Sequence, residues 1–347
     1  MSGLTQKKPG IAKSKADAPR KISFVNATNA ALDDALTDDP TVFLLGEDIA
    51  DPQDGGTYKA TNGLSTKHGM HRVRSTPISE QAIAGAAVGA AIAGMRPVAE
   101  IMMMNFITLA MDQITNHAAK LRFMSGGKTN VPLTIRTATG AGANFGAQHS
   151  DMLEAWFAHT PGMKVVVPST PADTYGLLLS CIFDDDPCLF IENGPLYFGG
   201  AKGDAPERGY RIPLSKAHVE RAGSDVTVIG YGRPMADIRV IAEALGKEGI
   251  GVEVIDLRTI SPWDEATVFA SVAKTKRAVV VHEAVTKFGV GAEVAARINE
   301  ELFGQLASPV VRIGAPFAPV PYATVLEQAW LGGTQKIEAG IRRSLKI

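Results

Sequence analysis

Cysteine is nearly missing from this chain: Cys181 and Cys188 are the two present in 347 residues. Two thiols are too few for a disulfide framework or a zinc site, and a reducing, cytoplasmic home is the default reading. An excess of one charge is missing as well, because 35 Lys and Arg nearly balance 36 Asp and Glu. No global field draws the protein to nucleic acid or to an anionic membrane, and no local basic patch replaces it, so neither is expected as a partner. The apolar run Ala82 to Met95 has 14 residues and closes at Arg96, whereas a membrane-spanning helix needs roughly 20. Nucleotide fingerprints are lacking too. Gly85, Gly89 and Gly94 fall inside a helical stretch, no phosphate loop ends in GlyLysSer or GlyLysThr, and no GlyAspGly with a downstream Asn offers a metal signature. If a charged cofactor binds, its phosphates are held elsewhere.

The length suggests two domains, at roughly 150 residues each. Met1 to Lys21, the Lys-rich start, lacks the apolar centre of a secretory signal and is expected as a flexible tail. A transit-type leader, and with it the mitochondrial matrix, stays open. From Thr41 onward β-rich runs alternate with helical patterns. Strands are expected at Thr41–Gly46, Pro97–Met102, Val131–Arg136, Lys164–Val167 and Leu189–Glu192, with helices at Ala82–Met95, Phe106–Arg122 and Ala172–Phe183. Gly199 to Arg211 (GGAKGDAPERGYR) reads as a linker. A second alternating set follows, with strands at Val226–Gly230, Val252–Asp256, Ala278–His282 and Val310–Ile313, and helices at Met235–Lys247 and Ala292–Phe303. The domain plan is therefore a tail over 1–21, a first domain over 22–198, a linker over 199–211 and a second domain over 212–347. Strand and helix in alternation imply two α/β domains built on parallel sheets, with ligands at the carboxyl ends of the strands.

Three loops converge there. Glu47 follows the first strand, a run follows Met102, and the glycine-rich loop 139–146 leads to His149. Glu80 opens the Ala/Gly helix on the same rim, behind a turn in which Ser79 or Thr76 is the expected N-cap. A first-turn acid complements the helix dipole, and Glu80 is open to that reading. The helix behind it, built of Ala82, Gly85, Ala86, Gly89, Ala90 and Ala93, lets another backbone approach closely. It is expected to be buried, which would place Glu80 near a packed interface and make it a candidate for a raised pKa. His149 is equally open to a capping or surface role. The other histidines form no metal-ligand spacing with each other or with cysteine.

The strings ThrProIleSerGlu at 76–80, GlyAlaAlaValGlyAlaAlaIleAlaGly at 85–94, ArgProValAlaGlu at 96–100, GlyAlaGlnHisSer at 146–150 and ProTyrAla at 321–323 occur in order with AspGln at 112–113 and AlaAlaLys at 118–120. Together they resemble the beta subunit of the thiamine-diphosphate-dependent first component of 2-oxo acid dehydrogenase complexes, over roughly Ala30 to the end. The resemblance implies a pyrimidine-binding domain of the transketolase-like fold followed by the transketolase C-terminal domain. It implies that Glu80 hydrogen-bonds N1′ of the aminopyrimidine and favours the imino tautomer that removes the thiazolium C2 proton. Phe106 corresponds to the aromatic packed on the pyrimidine, Ile78 and Met102 to neighbours of the cofactor, and Glu47 to an acid near the path between sites. His149 corresponds to the histidine that orients substrate or protonates the lipoyl dithiolane. A potassium ion is implied on the main-chain carbonyls of Leu133, Cys181, Asp184 and Asp186.

An alpha subunit is implied as partner in an alpha2beta2 heterotetramer. It holds the diphosphate and Mg²⁺, and a lipoyl acyltransferase core receives the acyl group. The activity implied is an oxidoreductase acting on the oxo group of a donor, with a lipoyl disulfide as acceptor. Pyruvate, branched-chain 2-oxo acids and acetoin all remain as donors. A split transketolase-type half without a lipoyl acceptor and a noncatalytic docking scaffold are the competing readings. The chain departs from the family pattern in a long loop at 49–58 and in HisGlu at 282–283, where paired acids are common.

Overall fold

The computed structural model describes residues 20–346, so the expected tail, up to residue 19, lies outside the described residues. The chain opens with β1 (Lys21–Ser23), α1 (Phe24–Asp38) and β2 (Val42–Glu47), then α2 (Leu64–His68), β3 (Val73–Thr76), α3 (Glu80–Ile92) and β4 (Arg96–Met103). A 3₁₀ segment (Met104–Ala110), a π segment (Asp112–Ala118) and α4 (Ala119–Met124) lead to β5 (Thr134–Thr139). α5 (Glu154–Ala158), β6 (Lys164–Val166), α6 (Pro171–Ile182), β7 (Cys188–Asn193), α7 (Gly194–Phe198) and β8 (Lys202–Asp204) follow.

The second half contains β9 (His218–Arg221), β10 (Val226–Gly230), α8 (Pro234–Lys247), β11 (Val252–Asp256), β12 (Thr259–Ser261) and α9 (Glu265–Thr275). It closes with β13 (Ala278–Val285), α10 (Val290–Glu301), β14 (Val311–Ala315), α11 (Thr324–Leu331) and α12 (Gly333–Leu345).

The first sheet runs β12-β6-β7-β5-β4-β2-β3, and its strands are parallel except for the edge strand β12. The second runs β14-β13-β10-β11-β9, parallel except for β9. Continuous apolar strands such as VFLLG in β2 and VTVI in β10 suit sheets covered on both faces. On one face of the first sheet, α1 and α6 bury Leu32, Leu36 and Leu178 against Leu44, Val98 and Phe190. On the other, Ile83 and Val88 of α3 join Ile107 and Ile114 in a core that continues through Ile229, Tyr231 and Val280 of the second domain. The domains thus share apolar packing, and β12 carries the chain of the second half back to pair with β6.

The stretch expected as a linker contributes β8, which pairs antiparallel with β1. Phe106–Arg122 reads as one helix in sequence, yet the backbone changes pitch twice within it. Ala110, Ile114 and Ala118 keep the core face as expected, while Leu109 turns outward, 62% exposed. β5 starts three residues later than Val131, because Pro132 has no N–H for the ladder. α3 also differs from expectation. Ile83, Ala84, Ala87, Val88 and Ala91 are buried, but Ala82, Ala86, Gly89 and Ala93 form an open face of small residues.

Candidate active site

The carboxyl ends of adjacent strands β3, β2, β4 and β5 gather the predicted residues on one rim. Glu47 is the last residue of β2 and lies opposite Thr76 in the parallel register with β3. Four residues beyond Thr76, Glu80 begins α3 with its side chain 93% removed from solvent, at 7% exposed. Ser79 occupies the N-cap position but makes no capping hydrogen bond, so the turn is not organised by the cap expected there. Burial raises the Glu47 carboxyl above its ordinary range, and the negative charge of Glu80 raises it further. Glu47 Oε1 and Thr76 Oγ1 are both buried without a hydrogen-bond partner. Two acids and an unpartnered hydroxyl at one helix start leave polar capacity that the protein does not itself use.

β4 delivers the next pair. Met102 is half-buried and accepts a hydrogen bond at its Sδ from Thr57 Oγ1 at 3.2 Å. Phe106, in the 3₁₀ turn that follows, meets the His149 ring edge-on at a centroid distance of 5.3 Å. Residues 43 positions apart in sequence are thus in contact, as the convergence of loops requires. Ile78, by contrast, is 82% exposed in the single chain. Asn105 Nδ2 donates to Asp151 Oδ2 at 2.9 Å and Thr139 Oγ1 to the Asp151 carbonyl at 2.7 Å, which ties the segment after His149 to both strands.

The glycine loop holds an anion, and the anion belongs to the protein. Gly140, Gly142, Asn144 and Gly146 all have positive φ, a conformation that glycine and asparagine adopt most readily. The N–H of Gly142 donates to Glu327 Oε1 at 2.8 Å and that of Asn144 to Glu327 Oε2 at 3.1 Å. Ala141 N–H donates to Glu283 Oε1 at 2.7 Å. The loop therefore cradles carboxylates of the second domain.

Sequence reasoning missed a cluster directly beneath this rim. Arg136, in the middle of β5, is buried between Glu100 (Nη1 to Oε2, 2.7 Å) and Glu192 (Nε to Oε1, 2.7 Å; Nη2 to Oε2, 3.0 Å). Burial raises the Glu192 carboxyl, and the Arg136 charge opposes that rise. Nearby Tyr197 shares a 2.7 Å hydrogen bond with Thr28, and burial pushes the Tyr58 hydroxyl up. An arginine inside an expected strand with no acid near it in sequence was the available signal. A second missed group joins the domains: Tyr231 donates to the buried Glu154 at 2.8 Å, and burial pushes the Glu154 carboxyl up to about 7. His282 stacks on Tyr231 with both ring nitrogens unpartnered, and burial lowers it to about 4.

Leu133, Cys181, Asp184 and Asp186 gather at the opposite end of the sheet. Their carbonyls accept from Cys188 N, Asp184 N, Arg96 Nη1 and Cys188 Sγ respectively, while Lys164 Nζ sits 2.7 Å from the Asp184 carboxylate. Among the described residues, no group of three or more His, Cys, Asp or Glu side chains could hold a metal ion.

Comparison with known proteins agrees with this fold. The transketolase pyrimidine-binding domain profile matches residues 20–198 and the transketolase C-terminal domain profile matches residues 215–337, which fixes the class of protein. A solved split-gene transketolase, an inactive beta4 tetramer, shares the fold with a TM-score of 0.75 at 21% identity, over 94% of this chain and 98% of that one. The beta subunit of acetoin:2,6-dichlorophenolindophenol oxidoreductase from Cupriavidus necator is 44% identical over 94% of this chain and 98% of its own length. The human mitochondrial pyruvate dehydrogenase E1 component subunit beta is 42% identical over 96% and 93%. The chain belongs to the family of beta subunits of the thiamine-diphosphate-dependent first component of 2-oxo acid dehydrogenase complexes. Among the described residues, no helix is long and apolar enough to cross a membrane.

Proposed function

We propose that this chain pairs with an alpha subunit in an alpha2beta2 heterotetramer, which decarboxylates a 2-oxo acid on thiamine diphosphate and reductively acylates a lipoyl domain of an acyltransferase core. The observation that carries this reading is the Glu47–Glu80 pair at the start of α3, with Glu80 buried and Glu47 half-buried, its Oε1 enclosed and unpartnered. Such a site suits a ring nitrogen that shares a proton with a carboxylate. When bound, thiamine diphosphate supplies the carbon centre that takes up the oxo acid and stabilises charge as carbon dioxide leaves.

The side chains of this chain have separate tasks. Glu80 hydrogen-bonds the pyrimidine N1′ and holds or returns its proton. Glu47 places a second carboxyl beside it, one that burial and then the Glu80 charge push above its ordinary range. Phe106 and Met102 pack the ring, and Ile78, open to solvent in the single chain, extends that wall toward the partner. His149, steadied edge-on against Phe106, orients the substrate or delivers a proton to the dithiolane.

The alpha subunit holds the diphosphate and Mg²⁺. In support, the loop N–H groups that could cradle a phosphate are already taken by Glu327. The open small-residue face of α3 suits close approach of a partner helix. Potassium would use the remaining lone pairs of the carbonyls of Leu133, Cys181, Asp184 and Asp186. The compartment is the cytoplasm, or the matrix if a leader precedes the described residues. Acetoin is kept as an alternative donor because the relative in Cupriavidus necator bears that name.

Reconstitution with the alpha partner tests the reading. Wild type should transfer acyl groups to a lipoyl domain, and Glu80→Gln should lose on the order of 10²-fold or more. Full turnover by Glu80→Gln would support a scaffold. Transfer to ketose phosphates with none to the lipoyl domain would support a split transketolase half.

A further inference from the structure

The second domain reaches into the proposed site at one place. Two carboxylates, Glu283 at 5% exposed and Glu327 at 2%, cross from β13 and α11 to the glycine loop and accept from three of its N–H groups. Glu283 is anchored at its other oxygen by Asn193 Nδ2 at 3.0 Å, at the end of β7. Glu327 is shared between Gly142 and Asn144, so both of its oxygens are committed to the loop. Four positive-φ residues in seven make this loop expensive to order. Tyr322 packs against Gly146, where an added Cβ would stand 3.2 Å from its ring. Three residues after Gly146 comes His149, whose own N–H donates back to the Gly146 carbonyl at 3.3 Å.

We infer that Glu327 is a positioning residue: through the N–H groups of Gly142 and Asn144 it sets the loop that presents His149 to Phe106, so the second domain controls the acyl-transfer step without touching the cofactor or the substrate. The inference rests on the role proposed for His149. A carboxylate is the right group for this task because it accepts from two N–H groups of the loop at once and gains from their dipoles. Glutamine at the same position offers a single acceptor oxygen, and alanine offers none.

Backbone amide exchange in the full chain tests the clamp without reference to activity. Glu327→Ala should raise exchange at Gly142 and Asn144 by about tenfold or more, Glu327→Gln by less, with β10 and β11 unchanged. Unchanged loop exchange in Glu327→Ala overturns the inference. If the alanine variant does not fold, the glutamine variant carries the same comparison.

In the reconstituted assembly, decarboxylation read with an artificial electron acceptor and acyl transfer to a lipoyl domain are then compared. Glu327→Ala should slow acyl transfer by about tenfold and decarboxylation far less, and the double variant with His149→Ala should be no worse than His149→Ala alone. Additive losses overturn the positioning role even if the loop has loosened. If His149→Ala itself leaves both half-reactions unchanged, the proposed role of His149 fails, and the clamp is decided by the exchange data.

Discussion

Replacing Arg136 by methionine removes the one cation between Glu100 and Glu192 and leaves both carboxylates buried and facing each other. The shape change is small, since methionine fills most of the aliphatic volume of the arginine stem. The electrostatic change is large. Removing one partner from a buried ion pair costs about 3–5 kcal/mol, because the charge left behind has lost its water and its counter-charge. Here two acids lose the same partner, and three hydrogen bonds of 2.7, 2.7 and 3.0 Å go with it. Proton uptake limits the damage. Burial already pushes the Glu192 carboxyl up, and without the guanidinium the pair can bind a proton that the unfolded chain would release.

A group whose folded-state pKa is raised stabilises the fold below its unfolded pKa and loses that contribution as pH rises, so the variant should suffer more at pH 8 than at pH 5.5. Thermal unfolding of the purified chain at the two pH values reads the effect. Arg136→Met should lower Tm by on the order of 5–10 °C at pH 8, with a smaller drop at pH 5.5. A fall of less than about 2 °C, equal at both pH values, would refute the assignment of Arg136 as the keystone of that network.

Two further outcomes follow from the same geometry. Glu154, fully buried and raised from 4.5 to about 7, should destabilise the fold progressively as pH climbs through that window, by about 3 kcal/mol at most. Glu154→Gln should therefore flatten Tm between pH 5 and 7.5 relative to wild type. His282, lowered to about 4, acts in the opposite sense as pH falls and is common to both chains, so it cancels in the comparison. Identical pH profiles would contradict the burial of that acid. On the open face of α3, Ala86→Leu should leave the free chain within about 0.5 kcal/mol of wild type. It should nevertheless abolish co-elution with the alpha subunit on size exclusion, whereas intact co-elution would move the proposed contact off this helix.

Much of the fold was legible because its strands are short apolar runs closed by turn residues. Val226–Gly230 and Val252–Asp256 begin and end where the sequence places them. What escaped was set by tertiary context. β12 and β9 are brief edge strands whose pairing depends on distant partners, and β8 hides in a Gly- and Pro-rich stretch. The 3₁₀ and π segments share an apolar spacing with an ordinary helix over so few turns that periodicity does not separate them. At the site, Glu80, Glu47 and the Phe106–His149 pair were reachable, since strand ends converge in a parallel sheet. The Glu283 and Glu327 contacts were not. A carboxylate 142 or 185 residues away in sequence from the N–H it accepts leaves no local trace.

In the proposed function, Glu80 shares a proton with the aminopyrimidine ring and so activates the thiazolium carbon. The most direct measurement is deuterium exchange at C2 of thiamine diphosphate bound to the assembled alpha2beta2 enzyme, wild type against Glu80→Gln, with cofactor retention measured on the same samples. Exchange slowed on the order of 10²-fold or more with the cofactor retained is the predicted result. Exchange at the wild-type rate in Glu80→Gln would contradict it.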